Sequence, residues 1–193
     1  MSIFDGAMLE DARSVIARYP QGRERSAVMP LLYLVQSVEG RISREGLREV
    51  AGLLDLTTAE VEAVATFYTM YRMRPTGEHL VNVCTNLACM LRGGKDVYEA
   101  AHAAAGMAHG QEISEDGLLT LHEEECLGVC DLAPAVQIDF MNHDNVTPDR
   151  MRELIAQLRA GEVPAPARGP KMESFRHASR VLAGVEPAEE ARA

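Results

Sequence analysis

Apolar residues recur at helical spacing through roughly the first seventy positions and at strand spacing after that. Leu9, Ala12, Val15, Ile16 and Tyr19 keep an i, i+3, i+4 rhythm over residues 8–19, and Pro20 stops it. After the linker "QGRERS", the run "SAVMPLLYLVQSVEG" is apolar on nearly every face. Such a helix needs cover on more than one side, which points to the centre of a bundle first and to an interface second. Pro30 either kinks it or belongs in its first turn, because proline lacks the amide a helix interior uses. Gly40 supplies the stop. Ser43 is placed to cap "REGLREVAGLLD", whose Leu47, Val50, Leu53 and Leu54 form one stripe. Thr57 and Glu60 form a capping box ahead of Val61, Val64, Ala65 and Phe67. Residues 8–70 therefore read as an all-helical unit, with Phe67, Tyr68 and Tyr71 expected to pack against the next domain.

The period changes at "RPTGE", a turn. "HLVNVC" alternates as a strand, and Gly93 and Gly94 precede an Ala-rich helix, "KDVYEAAHAAAGMAHG". "GLLTLHEEEC" and "PAVQID" are two further strands, "MNHDN" is a turn, and a short fourth strand is expected near Phe140. Thr147 and Pro148 open a last amphipathic helix, "DRMRELIAQLRAG". The order β-α-β-β-α fits an open mixed sheet with helices packed on it. The fold class is α+β: a helical domain over residues 1–74, a sheet domain over 75–160, and an extended tail over 161–193. In that tail "EVPAPARGP" is a proline-rich linker, and "MESFRHASRVLAG" has room for one more helix carrying Phe175, Val181 and Leu182.

Composition narrows the function. The 193 residues are 47% hydrophobic, enough for a buried core. The formal charge of −10 argues against nucleic acid and against an anionic membrane surface as partners. No apolar run reaches spanning length, and the N-terminus has neither a signal-peptide nor an anchor pattern, so a cytoplasmic protein without direct membrane insertion is expected. No G-x-G-x-x-G is present, so a dinucleotide or flavin is expected to bind elsewhere.

The chemistry sits in four cysteines. Cys84 and Cys89 form C-x4-C; after 36 residues, Cys126 and Cys130 form C-x3-C. Two short thiol pairs at the ends of separate strands suit one metal centre. Disulfides are disfavoured in a cytosolic chain, and the absence of C-x-x-C disfavours dithiol exchange. Zinc and an iron–sulfur cluster remain. The pairs are wider than the C-x2-C of zinc knuckles, which puts iron–sulfur ahead of zinc and leaves a zinc-stabilised interaction module as a rival.

"VCTNLACMLRGG", followed by "ECLGVCDLAPAVQID", resembles the thioredoxin-like 2Fe–2S subunit of bacterial respiratory complex I, the E subunit of 24-kDa type. "YPQGRERSAVMPLLYLVQ" and "VEAVATFYTMYRMRPTGEH" resemble its N-terminal helical part. The similarity covers about residues 15–160. It implies a thioredoxin-like fold, with Cys84, Cys89, Cys126 and Cys130 as ligands of one 2Fe–2S cluster. It also implies electron transfer within an NADH:quinone oxidoreductase, peripheral to the inner face of the membrane. The partners would be a larger subunit holding flavin mononucleotide and NADH, and the other peripheral-arm subunits; no activity is expected of the chain alone. The same module serves NAD-linked hydrogenases and formate dehydrogenases, which the sequence does not separate. In the family the tail wraps onto the flavin subunit.

Around the cysteines, Gly93, Gly94 and Gly128 permit close backbone approach, and free amides between residues 85 and 94 are expected to offset thiolate charge. Arg92 and Lys95 either pair with that charge or are solvated. Glu123, Glu124, Glu125 and Asp131 bracket the second pair and should hold a reduction potential low. His79 and His122 read as structural rather than ligating.

Overall fold

The computed structural model describes residues 2–108 and 110–187. They form two compact units: residues 2–75 with 176–187, and residues 76–175. The rest of the expected tail, 188–193, lies outside the described residues, as does residue 109 of the Ala-rich run.

The first unit is helical: α1 (Gly6–Ile16), α2 (Val28–Glu39), α3 (Arg44–Leu54) and α4 (Thr58–Phe67), joined by Arg176–Ala183 of the C-terminal helix Phe175–Ala183. Helix α2 is the centre, with Leu31, Leu32, Leu34 and Val35 fully buried. Pro30 falls in its first turn, where no amide is required, and Gly40 ends it in the left-handed conformation at φ 67°. Buried Gln36 has its amide filled on both sides: its nitrogen donates to Ser179 Oγ and Met70 O, and its oxygen accepts from Arg72 N. Ser43 and Thr57 cap α3 and α4, the latter in a full capping box. Tyr71 is buried, donating to Met29 O at 2.9 Å with its ring 5.0 Å from Tyr33. Phe67 departs from expectation and is 76% exposed. The buried face of α4 carries Val61 and Ala65, and a residue two beyond Ala65 projects from the far side of the helix.

The C-terminal helix also departs from a simple tail. Ala178 and Ser179 are fully buried, and Arg180 pairs with Asp11 at 3.0 Å and Glu186 at 2.7 Å. Its buried stripe, not its surroundings in sequence, makes it part of the helical unit.

The second unit is built on β1 (His79–Cys84), α5 (Leu87–Leu91), α6 (Gly94–Ala105), β2 (Leu119–Glu124), β3 (Val136–Ile138), β4 (Met141–His143) and α7 (Pro148–Arg159). The sheet order is β2-β1-β3-β4. Strand β1 runs parallel to β2, from His79 opposite Leu119 to Cys84 opposite Glu124, and antiparallel to β3. As an inner strand it is buried throughout. Val81, Val83, Leu119, Leu121, Val136 and Ile138 meet Val97 and Ala101 of α6 and Met151, Leu154, Ile155 and Leu158 of α7 in one core. The Ala-rich run ends sooner than its composition implies, because Gly106 takes the left-handed C-cap at φ 65°.

This unit continues past α7. Ala167 N donates to Asn142 O at 2.9 Å, Arg168 pairs with Asp144, and Phe175 places its ring 5.4 Å from Phe140. Extended chain thus lies against the edge strand β4 and blocks it from pairing elsewhere. The sheet unit runs to residue 175, not 160.

One buried ion pair anchors the start of β1. His79 Nδ1 lies 2.6 Å from Asp139 Oδ2, and Asp139 Oδ1 accepts from Leu80 N at 2.8 Å. Burial opposes a charge on His79, but the hydrogen bond and charge of Asp139, helped by Glu78, hold its pKa above the ordinary value. Asp139→Asn should therefore cost about 3–5 kcal/mol near neutral pH, measured by urea unfolding, as one half of a buried pair is removed. Burial raises Asp139 as well, so both partners favour protons in the folded state; the wild-type advantage should be present below about pH 6.5 and shrink as pH rises through the raised His79 value.

Candidate metal centre

Parallel strands point the same way, so β1 and β2 end side by side. Cys84 is the last residue of β1, and the Cys126–Cys130 turn begins two residues beyond the end of β2. The topology thus delivers both thiol pairs to one end of the sheet.

The first pair is held inside. After Cys84 the chain turns at Asn86, whose side chain accepts from Leu87 N and caps α5, a helix of five residues. That single turn brings Cys89 back beside Cys84, and each cysteine is only 2% exposed. Ala133 and Ala135 fill the remaining space around them. The second pair faces solvent. Gly128, at φ 77°, lets the chain reverse between Cys126 and Cys130, and its amide points at Cys126 Sγ at 3.4 Å. The two sulfurs lie 3.3 Å apart.

Cys89 feels Cys84 and Cys130, and Cys130 feels Cys126 and Cys84. Burial pushes Cys89 up to about 11, and the hydrogen bond and charge of Cys84 and the charge of Cys130 push the same way, against a hydrogen bond from the Ala135 backbone. Cys130 is raised by its hydrogen bond to Cys126 and by the charges of Cys126, Cys84 and Asp131. Cys126 is lowered, first by the Gly128 amide and then by Cys130. Were these thiols ionised they would repel one another, and a multivalent cation is the chemistry that would relieve that repulsion. Among the described residues, no three His, Cys, Asp or Glu side chains are grouped as for a single ion. The sulfurs come as two pairs, one buried and one exposed.

Two hydrogen bonds that sequence reasoning missed tie the loops together. Thr85 Oγ1 donates to Glu123 at 2.6 Å, and Asn86 Nδ2 donates to Glu125 at 2.6 Å. These carboxylates, expected only as a negative bracket, also cross-link the cysteine loops. The signal was present in part: Thr85 and Asn86 directly follow Cys84, and Glu123 and Glu125 precede Cys126. Their pairing becomes visible only once β1 and β2 are known to be parallel and in register. Glu124 instead lies 3.6 Å from His122, and His79 serves Asp139, so neither histidine reaches the thiols by these contacts. Lys95 is exposed. Arg92 bonds to Ala133 O.

Gly93 takes a positive φ of 90° at the start of α6. Gly94 matters for a different reason: a Cβ there would stand 2.7 Å from Cys84 O and 2.9 Å from Cys89 O. The helix start is seated directly on the backbone of the first pair.

A helical unit and a four-stranded mixed sheet, with two cysteine pairs at one end of that sheet, define an α+β protein on a thioredoxin-like scaffold. The chain belongs to the thioredoxin-like [2Fe-2S] ferredoxin family, whose model matches residues 12–159 and so takes in most of both units. It is 47% identical over 175 residues to the NADH-quinone oxidoreductase E subunit of Mycobacterium tuberculosis, covering 91% of this chain and 68% of the relative. NADH-quinone oxidoreductase subunit 2 of Thermus thermophilus is 37% identical over 84% of this chain and 89% of its own length. Among solved structures, an NAD+-reducing [NiFe]-hydrogenase in the H2-reduced state superposes with a TM-score of 0.59 at 22% identity, over 71% of this chain. The match spans only 23% of that hydrogenase chain, and at this identity it shows the shared fold alone.

Gly94→Ala should destabilise the protein by about 1–3 kcal/mol in denaturant unfolding, because the clash is with backbone that has nowhere to move. Gly110→Ala, with nothing within 4 Å of the added methyl, is the comparison for steric cost, though its φ of 82° carries its own strain.

Proposed function

We propose that the chain is an electron-transfer subunit of an NADH-oxidising complex of the NADH:quinone oxidoreductase type, carrying one 2Fe–2S cluster on Cys84, Cys89, Cys126 and Cys130. The observation that carries this reading is the delivery of two thiol pairs to one end of a parallel strand pair, close enough for charge on one pair to act on the other. The family and the names of the two oxidoreductase relatives support it.

The cluster, when bound, supplies one-electron oxidation and reduction. The chain's own residues do the rest. Cys84 and Cys89 would hold it from the protein side and Cys126 and Cys130 from the solvent side. The Gly128 and Ala135 amides offset thiolate charge, and the Thr85–Glu123 and Asn86–Glu125 bonds keep the loops in register. Flavin mononucleotide and NADH belong to a larger partner subunit, since this chain has no glycine-rich phosphate-binding motif. Hydride chemistry falls to that partner, and the isolated chain oxidises no NADH. Among the described residues no helix is long and apolar enough to cross a membrane, so attachment at the inner membrane face would come through the complex.

Replacing each cysteine by serine in turn should remove most of the cluster or visibly shift its absorption and electron paramagnetic resonance spectra. A Cys130→Ser protein with unchanged iron content and spectra overturns the four-ligand assignment. Asp131 is exposed, and its charge acts on Cys130. Asp131→Asn should raise the midpoint potential by roughly 20–50 mV, as one negative charge that opposes an added electron is removed. A redox titration giving an unchanged or lower midpoint contradicts this.

A further inference from the structure

Four consecutive backbone carbonyls follow the second cysteine pair, and each accepts a hydrogen bond. Leu132 O accepts from Asn145 N at 2.8 Å, Pro134 O from Val146 N at 2.9 Å, and Ala135 O from Cys84 N at 3.1 Å. Ala133 O differs: its donor is a side chain, Arg92 Nε, at 2.7 Å. Ala133 is fully buried and shares one apolar cluster with Cys84, Cys89 and Ala135. Arg92 also belongs to the first cysteine loop, since its amide donates to Cys89 O at 3.1 Å and closes α5. One residue therefore binds the first loop through its backbone and the second through its guanidinium. Arg92 is otherwise exposed, and its Nε bond ties a cationic side chain to a residue that packs with the first pair.

We propose that Arg92 is a positioning residue for the cluster: it locks the Cys126–Cys130 loop onto the Cys84–Cys89 loop and supplies a fixed positive charge that favours the reduced state. This rests on the four-cysteine reading. A centre with four thiolates is negative and becomes more so on reduction, so a fixed cation lowers the cost of the added electron. Loss of the guanidinium also leaves a buried carbonyl without its donor, which loosens the join between the loops.

The test compares wild type, Arg92→Gln and Arg92→Lys as full chains purified anaerobically with their cluster. Midpoints come from redox titration followed by electron paramagnetic resonance, and iron release to a chelator is followed by absorbance. Arg92→Gln should shift the equilibrium towards the oxidised form by about threefold to tenfold, tenfold being about 59 mV for one electron. It should also release iron faster. Arg92→Lys should keep the wild-type midpoint, because the charge remains, yet release iron faster, because an ammonium lacks the rigid fork. A wild-type midpoint in Arg92→Gln overturns the proposal whatever its release rate. If Arg92→Gln takes up no cluster, Arg92→Lys decides: faster release at an unchanged midpoint upholds the proposal, and wild-type release overturns it. A wild-type chain with no cluster spectrum would instead sink the four-cysteine reading, so the two failures are distinguishable.

Discussion

The site depends on the parallel pairing of β1 with β2. Had these strands run antiparallel, Cys84 and the Cys126–Cys130 turn would lie at opposite ends of the sheet, a six-residue strand apart. The register is as important as the direction. Cys84 opposite Glu124 brings Thr85 beside Glu123 and Asn86 within reach of Glu125, so the two loops are cross-linked just where they leave the sheet. Parallel pairing requires a crossover, which α5 and α6 provide, and the seating of Gly94 on the Cys84 and Cys89 carbonyls makes that crossover tight.

The thiols themselves work against this arrangement. Burial raises Cys89, and the hydrogen bond and charge of Cys126 raise Cys130, so both resist ionising. The protein answers with amides from Gly128 and Ala135 and, on the proposed account, with the Arg92 guanidinium. Such offsets are partial, and the remaining charge is what the proposed metal centre would neutralise. The inside–outside asymmetry of the two pairs follows from their origins. Cys84 ends a fully buried inner strand, whereas Cys126 and Cys130 sit in a surface turn.

Much of this was legible in the sequence, for identifiable reasons. Capping boxes, helix-stopping glycines and period changes act locally, so Ser43, Thr57, Gly40 and Thr147 mark their helices in the structure as in the chain. The cysteine spacing singled out the thiols that the fold brings to one sheet end, and the family resemblance implied a cluster on them. What stayed hidden was non-local. Nothing near Arg92 in sequence points to Ala133, 41 residues away, and nothing near Gln36 points to Ser179. The C-terminal helix shows the same limit. Its proline-rich approach reads as a linker, and only the burial of Ala178 and Ser179 reveals its place in the helical unit. Phe67 errs the other way, an aromatic expected to pack because of its type and found exposed because of its helix face.

The central claim is that four thiols in two pairs hold a binuclear iron centre and not a single zinc ion. The most direct measurement is metal and acid-labile sulfide analysis of the anaerobically purified chain, with its visible absorption spectrum recorded on the same sample. The account predicts two irons and two sulfides per chain, the cluster composition its family is named for, with the visible absorption of a 2Fe–2S cluster. A colourless protein holding one zinc and no sulfide would contradict it.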